Sequence, residues 1–182
     1  MKILIDASRA INEKAGVGRL TKELIEKLLE IDKKNDYILL FNFWRDFAEK
    51  SKEARKFSRE NCQVKISRFP GAIKERLLNS NIGYINRLKI DADVYLAPTF
   101  LDCDKSLKIP QIVIINDLSM FKYPEFLGKN YTGNFPKLTR IACEKAFKVV
   151  SISENTKEEL IETLEVPKAK IEVIYPGLST FT

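Results

Sequence analysis

Seven short apolar runs punctuate the chain: "KILID", "YILLF", "CQVKI", "DVYLA", "QIVIIN", "KVVSI" and "IEVIY". Most are apolar at nearly every position, as a strand must be when helices cover both of its faces. The stretches between them predict helices over residues 17 to 31, about 46 to 59, about 73 to 88, near 136 to 146 and about 155 to 164. In the first of these, Val17, Leu20, Leu24, Ile25, Leu28 and Ile31 fall at helical spacing and predict one buried face. Strands and helices alternating in this way predict an α/β fold: an open, mostly parallel, Rossmann-like sheet of about seven strands with helices on both faces.

Local punctuation agrees with this pattern. In "SISENTKEEL", either Ser153 or Asn155 can accept a bond from the free N–H groups of the following helix, and Asn155 with Glu158 has capping-box spacing. Pro167 separates that helix from the last strand, and "YPGL" at 175 to 178 turns the chain out of the sheet. With 182 residues, 45% of them hydrophobic, a single domain is expected over 1 to 178, with 179 to 182 a tail or the start of a linker.

Composition narrows the chemistry. No apolar run approaches the roughly 20 residues of a membrane span, and "MKILIDAS" enters a strand pattern rather than a secretion signal, so a cytoplasmic protein is expected. Cys62, Cys103 and Cys143 lie far apart, with no spacing that grips a metal, as ordinary buried or half-buried thiols do. The absence of histidine excludes Ser-His-Asp and Cys-His mechanisms and removes the side chain that normally titrates near neutrality. The net charge of +6 is local, since residues 45 to 89 hold twelve Lys/Arg against five Asp/Glu.

In an open parallel sheet, ligands bind beyond the carboxyl ends of the strands. There the sequence turns small and polar. After the first strand, Gly16 and Gly18 stand at the start of a helix whose N–H groups favour an anion; they serve either a close ligand approach or simply the turn into the helix. A dinucleotide fingerprint is incomplete, because Thr21 occupies the third glycine position, and no Walker-type motif occurs. "LAPTF" brings Pro98 and Thr99 to another strand end, and "NDLSMFKYPEF" brings Asn116, Asp117, Ser119 and Lys122 to the next. Asn and Asp at such places are either turn caps or ligand contacts. The polar strand ends are expected to share one edge and form a common hollow.

Four ordered stretches, "GVGRLTKELIEKLLEID", "DVYLAPTF", "IPQIVIINDLSMFKYPE" and "VVSISENTKEELIETLEVPKAKIEVIYPGL", resemble the amino-terminal, acceptor-side domain of the retaining glycosyltransferases of group 1 or family 4. The resemblance covers roughly residues 1 to 178. It implies the two-domain GT-B fold, with the first domain holding mainly the acceptor and the second the nucleoside-diphosphate sugar. It further implies that the backbone from Gly16 through Val17 to Gly18 borders the donor phosphate and sugar. Asn116 and Asp117 would stand where the family carries a catalytic His-Asp pair, and Ser153 and Glu154 would line the cleft. Arg9, Arg19 and Lys122 are the candidates for offsetting phosphate charge.

Asn116 in place of the family's histidine keeps a hydrogen bond to a sugar hydroxyl and loses any titrating role. The sequence reaches about as far as the family's interdomain linker, so a donor-binding domain is expected as a partner, in cis or in trans, and the chain alone is expected to be inactive. No cofactor or metal is expected beyond the nucleoside-diphosphate sugar donor. The acceptor would be a saccharide or lipid-linked sugar. The alternative is a non-catalytic module that keeps the fold and binds a ligand or partner.

The basic segment, residues 45 to 89, sets cations beside Phe47, Phe57, Phe69, Ile73, Leu77 and Leu78. It reads either as a surface resting on an anionic membrane, which would place the protein at the membrane's inner face, or as a solvated helix face. No nucleic-acid motif accompanies the charge, and no nucleic-acid partner is expected.

Overall fold

The computed structural model describes residues 1–13, 16–127 and 133–177, so Leu178 and the expected tail lie outside the described residues. Its strands are β1 (Lys2–Asp6), β2 (Asp36–Asn42), β3 (Cys62–Ser67), β4 (Val94–Ala97), β5 (Gln111–Ile115), β6 (Lys148–Ser151) and β7 (Ile171–Val173). They form one sheet in the order β3-β2-β1-β4-β5-β6-β7, with every pairing parallel. The described helices are α1 (Arg9–Asn12), α2 (Val17–Ile31), α3 (Phe47–Arg55), α4 (Gly71–Leu78), α5 (Tyr84–Leu88), α6 (Ser119–Lys122), α7 (Phe135–Lys145) and α8 (Glu154–Leu164).

Two apolar layers sandwich the sheet. Leu4, Leu40, Tyr84, Tyr95, Val113, Val149 and Leu160 belong to one, and Ile5, Ile25, Leu29, Leu39, Phe41 and Phe57 to the other. Adjacent residues of one strand, such as Leu4 and Ile5, serve opposite layers because strand side chains alternate in direction. This is why the inner strands are apolar throughout. At the edge, β3 departs from that rule: Gln63 and Lys65 are exposed, and an edge lysine discourages pairing with another chain.

Three local expectations are corrected. The innermost line of α2 runs through Gly18, Thr21, Ile25 and Leu29, while Ile31 at its end is exposed. Thr21 is tolerated inside because its hydroxyl donates to the Val17 carbonyl at 2.7 Å. The helix expected over 73 to 88 is two helices, α4 and α5, separated by a turn at 79–83. The buried Asp104 carboxylate accepts the Ile85 N–H at 2.9 Å and fixes the start of the second. Of the six apolar residues expected to flank the basic charge, only Ile73 is largely exposed. Phe57 and Leu78 are buried, and Phe47, Phe69 and Leu77 pack against the core. The apolar surface of these five is spent largely on the core. Among the described residues, no helix is long and apolar enough to cross a membrane.

Candidate functional site

Because all strands are parallel, their carboxyl ends form one edge, and β1, β4, β5 and β6 are consecutive neighbours along it. Four polar segments therefore line up: residues 8–13 with 16–19, Pro98 to Asp102, Asn116 to Lys122, and Ser153 to Glu154. The structure brings all the expected strand-end residues to this edge.

The two glycines answer different demands. Gly16 has φ +57° and ψ −122°, a backbone state that essentially only glycine adopts, and a side chain there would meet open space. Gly18 is buried, and a Cβ would lie 2.0 Å from the Glu13 carbonyl oxygen. Its close approach is to the end of α1, so Gly18 is a packing glycine; only Gly16 leaves room for a ligand. Val17 opens α2 half-buried, and Arg19 reaches along the helix to Glu23 at 2.8 Å.

Beyond β4, Pro98 and Thr99 are buried. The Thr99 hydroxyl accepts the Leu101 N–H and donates to Asp102 Oδ2 at 3.0 Å, so both of its functions are used within the protein. Beyond β5, Asn116 is half-buried. Its backbone carbonyl accepts the Thr156 hydroxyl at 3.2 Å, while its buried side-chain Oδ1 meets no donor among the described residues. Asp117 is exposed and accepts both the Ser119 N–H, at 2.9 Å, and the Ser119 hydroxyl through Oδ1. Ser119 thus positions Asp117. Lys122 pairs with Glu159 of α8 at 2.8 Å, and Asn155 donates to the same carboxylate.

Ser153 is the cap of α8: its hydroxyl accepts the Thr156 N–H at 3.1 Å. Asn155 lies inside the helix and is engaged with Glu159, so the box with Glu158 does not form. Glu154, at the first position of α8, is exposed and pairs with Lys157.

One constellation was not expected from the sequence. Asp6, fully buried at the end of β1, receives Lys74 of α4 at 2.5 Å. Lys74 also lies 3.6 Å from Asp102, whose other oxygen takes Arg9 at 2.7 Å, and Arg9 reaches Glu13 as well. Burial pulls Lys74 and Arg9 toward lower pKa, yet Asp6 and Asp102 outweigh it and hold both well above their ordinary values. Burial likewise pushes the Asp102 carboxyl up, and Lys74 and Arg9 bring it below the usual carboxylate range. With three carboxylates to two cations, the group carries a net charge of −1. Arg9 is therefore already occupied by carboxylates. Asp6 follows an apolar run, which was a signal, but its partner lies 68 residues away.

The thiols are inert. Burial raises Cys62 to about 11 and Cys103 and Cys143 to about 12. Among the described residues, no group of three or more Cys, Asp or Glu side chains is arranged to hold a metal ion.

The architecture is an open, all-parallel, Rossmann-like α/β domain with a polar carboxyl edge. Residues 15–180 match the family model of glycosyltransferase family 4. The chain belongs to that family, as an amino-terminal domain of a group 1 glycosyltransferase. Among curated proteins, no significant match is found.

Proposed function

We propose that this chain is the acceptor-binding half of a retaining glycosyltransferase that moves a sugar from a nucleoside-diphosphate donor to a saccharide or lipid-linked acceptor. The observation that carries the reading is the alignment of Gly16, Asn116, Asp117 and Ser153 on one edge, with the Asn116 Oδ1 buried and free of any donor among the described residues. A buried acceptor without a donor costs about 1–3 kcal/mol. Turning the Asn116 side chain toward the edge to accept a bond from a sugar hydroxyl removes that cost, so binding energy is directed to this point.

In the proposed reaction, the bond from the sugar's anomeric carbon to the diphosphate oxygen breaks, and a bond to the acceptor oxygen forms on the same face. The acceptor's proton passes to the departing phosphate. No protein base is needed, which suits a chain without histidine. Asn116 and Asp117 orient sugar hydroxyls, and the open backbone at Gly16 lets the donor phosphate approach. The donor itself is held by a second domain, in cis or in trans. A lipid-linked acceptor would bring this edge to the cytoplasmic face of a membrane. No metal or cofactor enters the proposal.

The second reading is a binding module without turnover, favoured by Asn116 standing where the family carries histidine. Purified residues 1–182, incubated with a panel of nucleoside-diphosphate sugars, are expected to show no turnover alone. Turnover is expected once a donor domain is supplied, and Asn116→Ala is expected to lower it by about tenfold or more, the cost of one lost directed hydrogen bond. Turnover by the isolated chain overturns the two-half scheme. Ligand binding by residues 1–182 alone, with no turnover when the donor domain is added, selects the second reading.

A further inference from the structure

Trp44 is the chain's only tryptophan, lies just past the end of β2, and is 53% exposed while its neighbour Phe43 is buried. Its ring is held rather than loose. Arg68, just past β3, places its guanidinium 5.8 Å from the centre of the Trp44 ring and 5.0 Å from that of Phe47. An arginine over an aromatic face is attracted by the ring's quadrupole, which fixes both groups. These residues stand on the same carboxyl edge as the candidate site, Trp44 one strand and Arg68 two strands beyond β1.

The charges there differ from those at the centre. Arg9, Lys74 and Lys122 are each paired with carboxylates. An anion arriving at any of them must displace one. Arg45 and Arg68 have no carboxylate partner among the described residues, and the nearby Asp46 faces Lys50 at 3.6 Å. An acidic group arriving here meets cations and displaces no carboxylate.

We propose that Trp44 and Arg68 form a distal acceptor subsite that takes an acidic sugar unit, such as a uronic acid. This rests on the acceptor-binding reading above. β2 lies three strands from β5 in the order β2-β1-β4-β5, or about 14 Å at the usual strand spacing. One sugar ring at Asn116 does not reach that far, whereas a short oligosaccharide does. Lys50 donates to Asn12 at 3.1 Å and ties the Trp44 loop's helix to the end of α1, so the intervening edge is continuous. The apolar C–H face of the distal ring stacks on the indole, and its carboxylate pairs with Arg68.

A single tryptophan makes fluorescence a report from this position alone. Trigalacturonate is expected to shift the emission of the whole chain saturably, and to bind at least about tenfold more tightly than neutral maltotriose, as one charge-assisted bond implies. Arg68→Gln is expected to erase that preference, and Trp44→Ala to abolish calorimetric binding of trigalacturonate, both with unchanged melting temperature. Equal affinity for the two trisaccharides, no response to either, or a preference that survives Arg68→Gln overturns the subsite. A response confined to phosphatidylglycerol vesicles overturns it in favour of a lipid surface. Acidic-sugar binding without transfer in the donor-domain assay sinks the transferase reading and keeps the subsite; transfer without charge preference does the reverse.

Discussion

At the scale of single residues, Gly16 and Gly18 look alike in the sequence and are required for unrelated reasons. Gly18→Ala drives a Cβ to 2.0 Å from the Glu13 carbonyl, and a backbone atom cannot rotate away as a side chain can. Gly16→Ala meets open space and costs only the strain of its positive φ. Gly18→Ala is expected to be the more damaging, destabilising by about 2–3 kcal/mol as overpacking does, against about 1–2 kcal/mol of backbone strain for Gly16→Ala. Chemical denaturation of the two variants checks the order. Asn116 belongs to this scale too: its type was plain in the sequence, but the isolation of its Oδ1 depends on what surrounds it.

At the scale of elements, the helices are set by caps and by what they bury. Ser153 satisfies the Thr156 N–H, and Thr156 in turn bonds to the Asn116 carbonyl, so the cap of α8 also holds the loop that carries Asn116 and Asp117. Ser153→Ala is expected to cost about 1 kcal/mol, the usual loss of a cap, which lowers the melting temperature by about 2–4 °C in a chain of this size. Asn155→Ala is expected to cost less than half as much, because Asn155 bonds Glu159 from within the helix rather than capping it. Thermal melts of the two variants distinguish the alternatives that the sequence left open. The division of α4 from α5 has the same kind of cause: a carboxylate distant in sequence, Asp104, claims the Ile85 N–H in the first turn of the second helix.

At the scale of the whole molecule, the Asp6–Lys74–Asp102–Arg9 group ties α4 and the β4 loop to the end of β1. Lys74→Ala leaves the buried Asp6 carboxylate without a cation and is expected to cost about 3–5 kcal/mol. Adding Asp6→Asn and Asp102→Asn to Lys74→Met is expected to recover part of that loss, since no uncompensated charge remains. The network also sets a pH window. Asp102 is held below its ordinary 3.8, so its stabilisation is complete above that pH and is lost as the pH falls toward its folded value. Lys74 is held above 10.5, so its share is complete below that pH and is lost as the pH rises further. Stability measured between these limits is expected to be flat with respect to this group. Lys74→Met in the wild-type background is expected to flatten the alkaline limb.

The period of the apolar residues was enough to determine the α/β class, the seven strands and most helix positions, because burial of both sheet faces imposes that period locally. Polar residues after the strands were enough to point to one edge, since parallel strands necessarily share their carboxyl ends. Only the tertiary structure decided which charges there are already paired, that Gly18 packs against Glu13, and that Phe47, Phe57, Phe69, Leu77 and Leu78 of the basic segment face the core. The charge pairing and the burial depend on strand order, which places β1 between β2 and β4 and so joins residues dozens of positions apart, a relation that no local spacing carries; the Gly18 contact is close in sequence and depends instead on how α1 packs against α2.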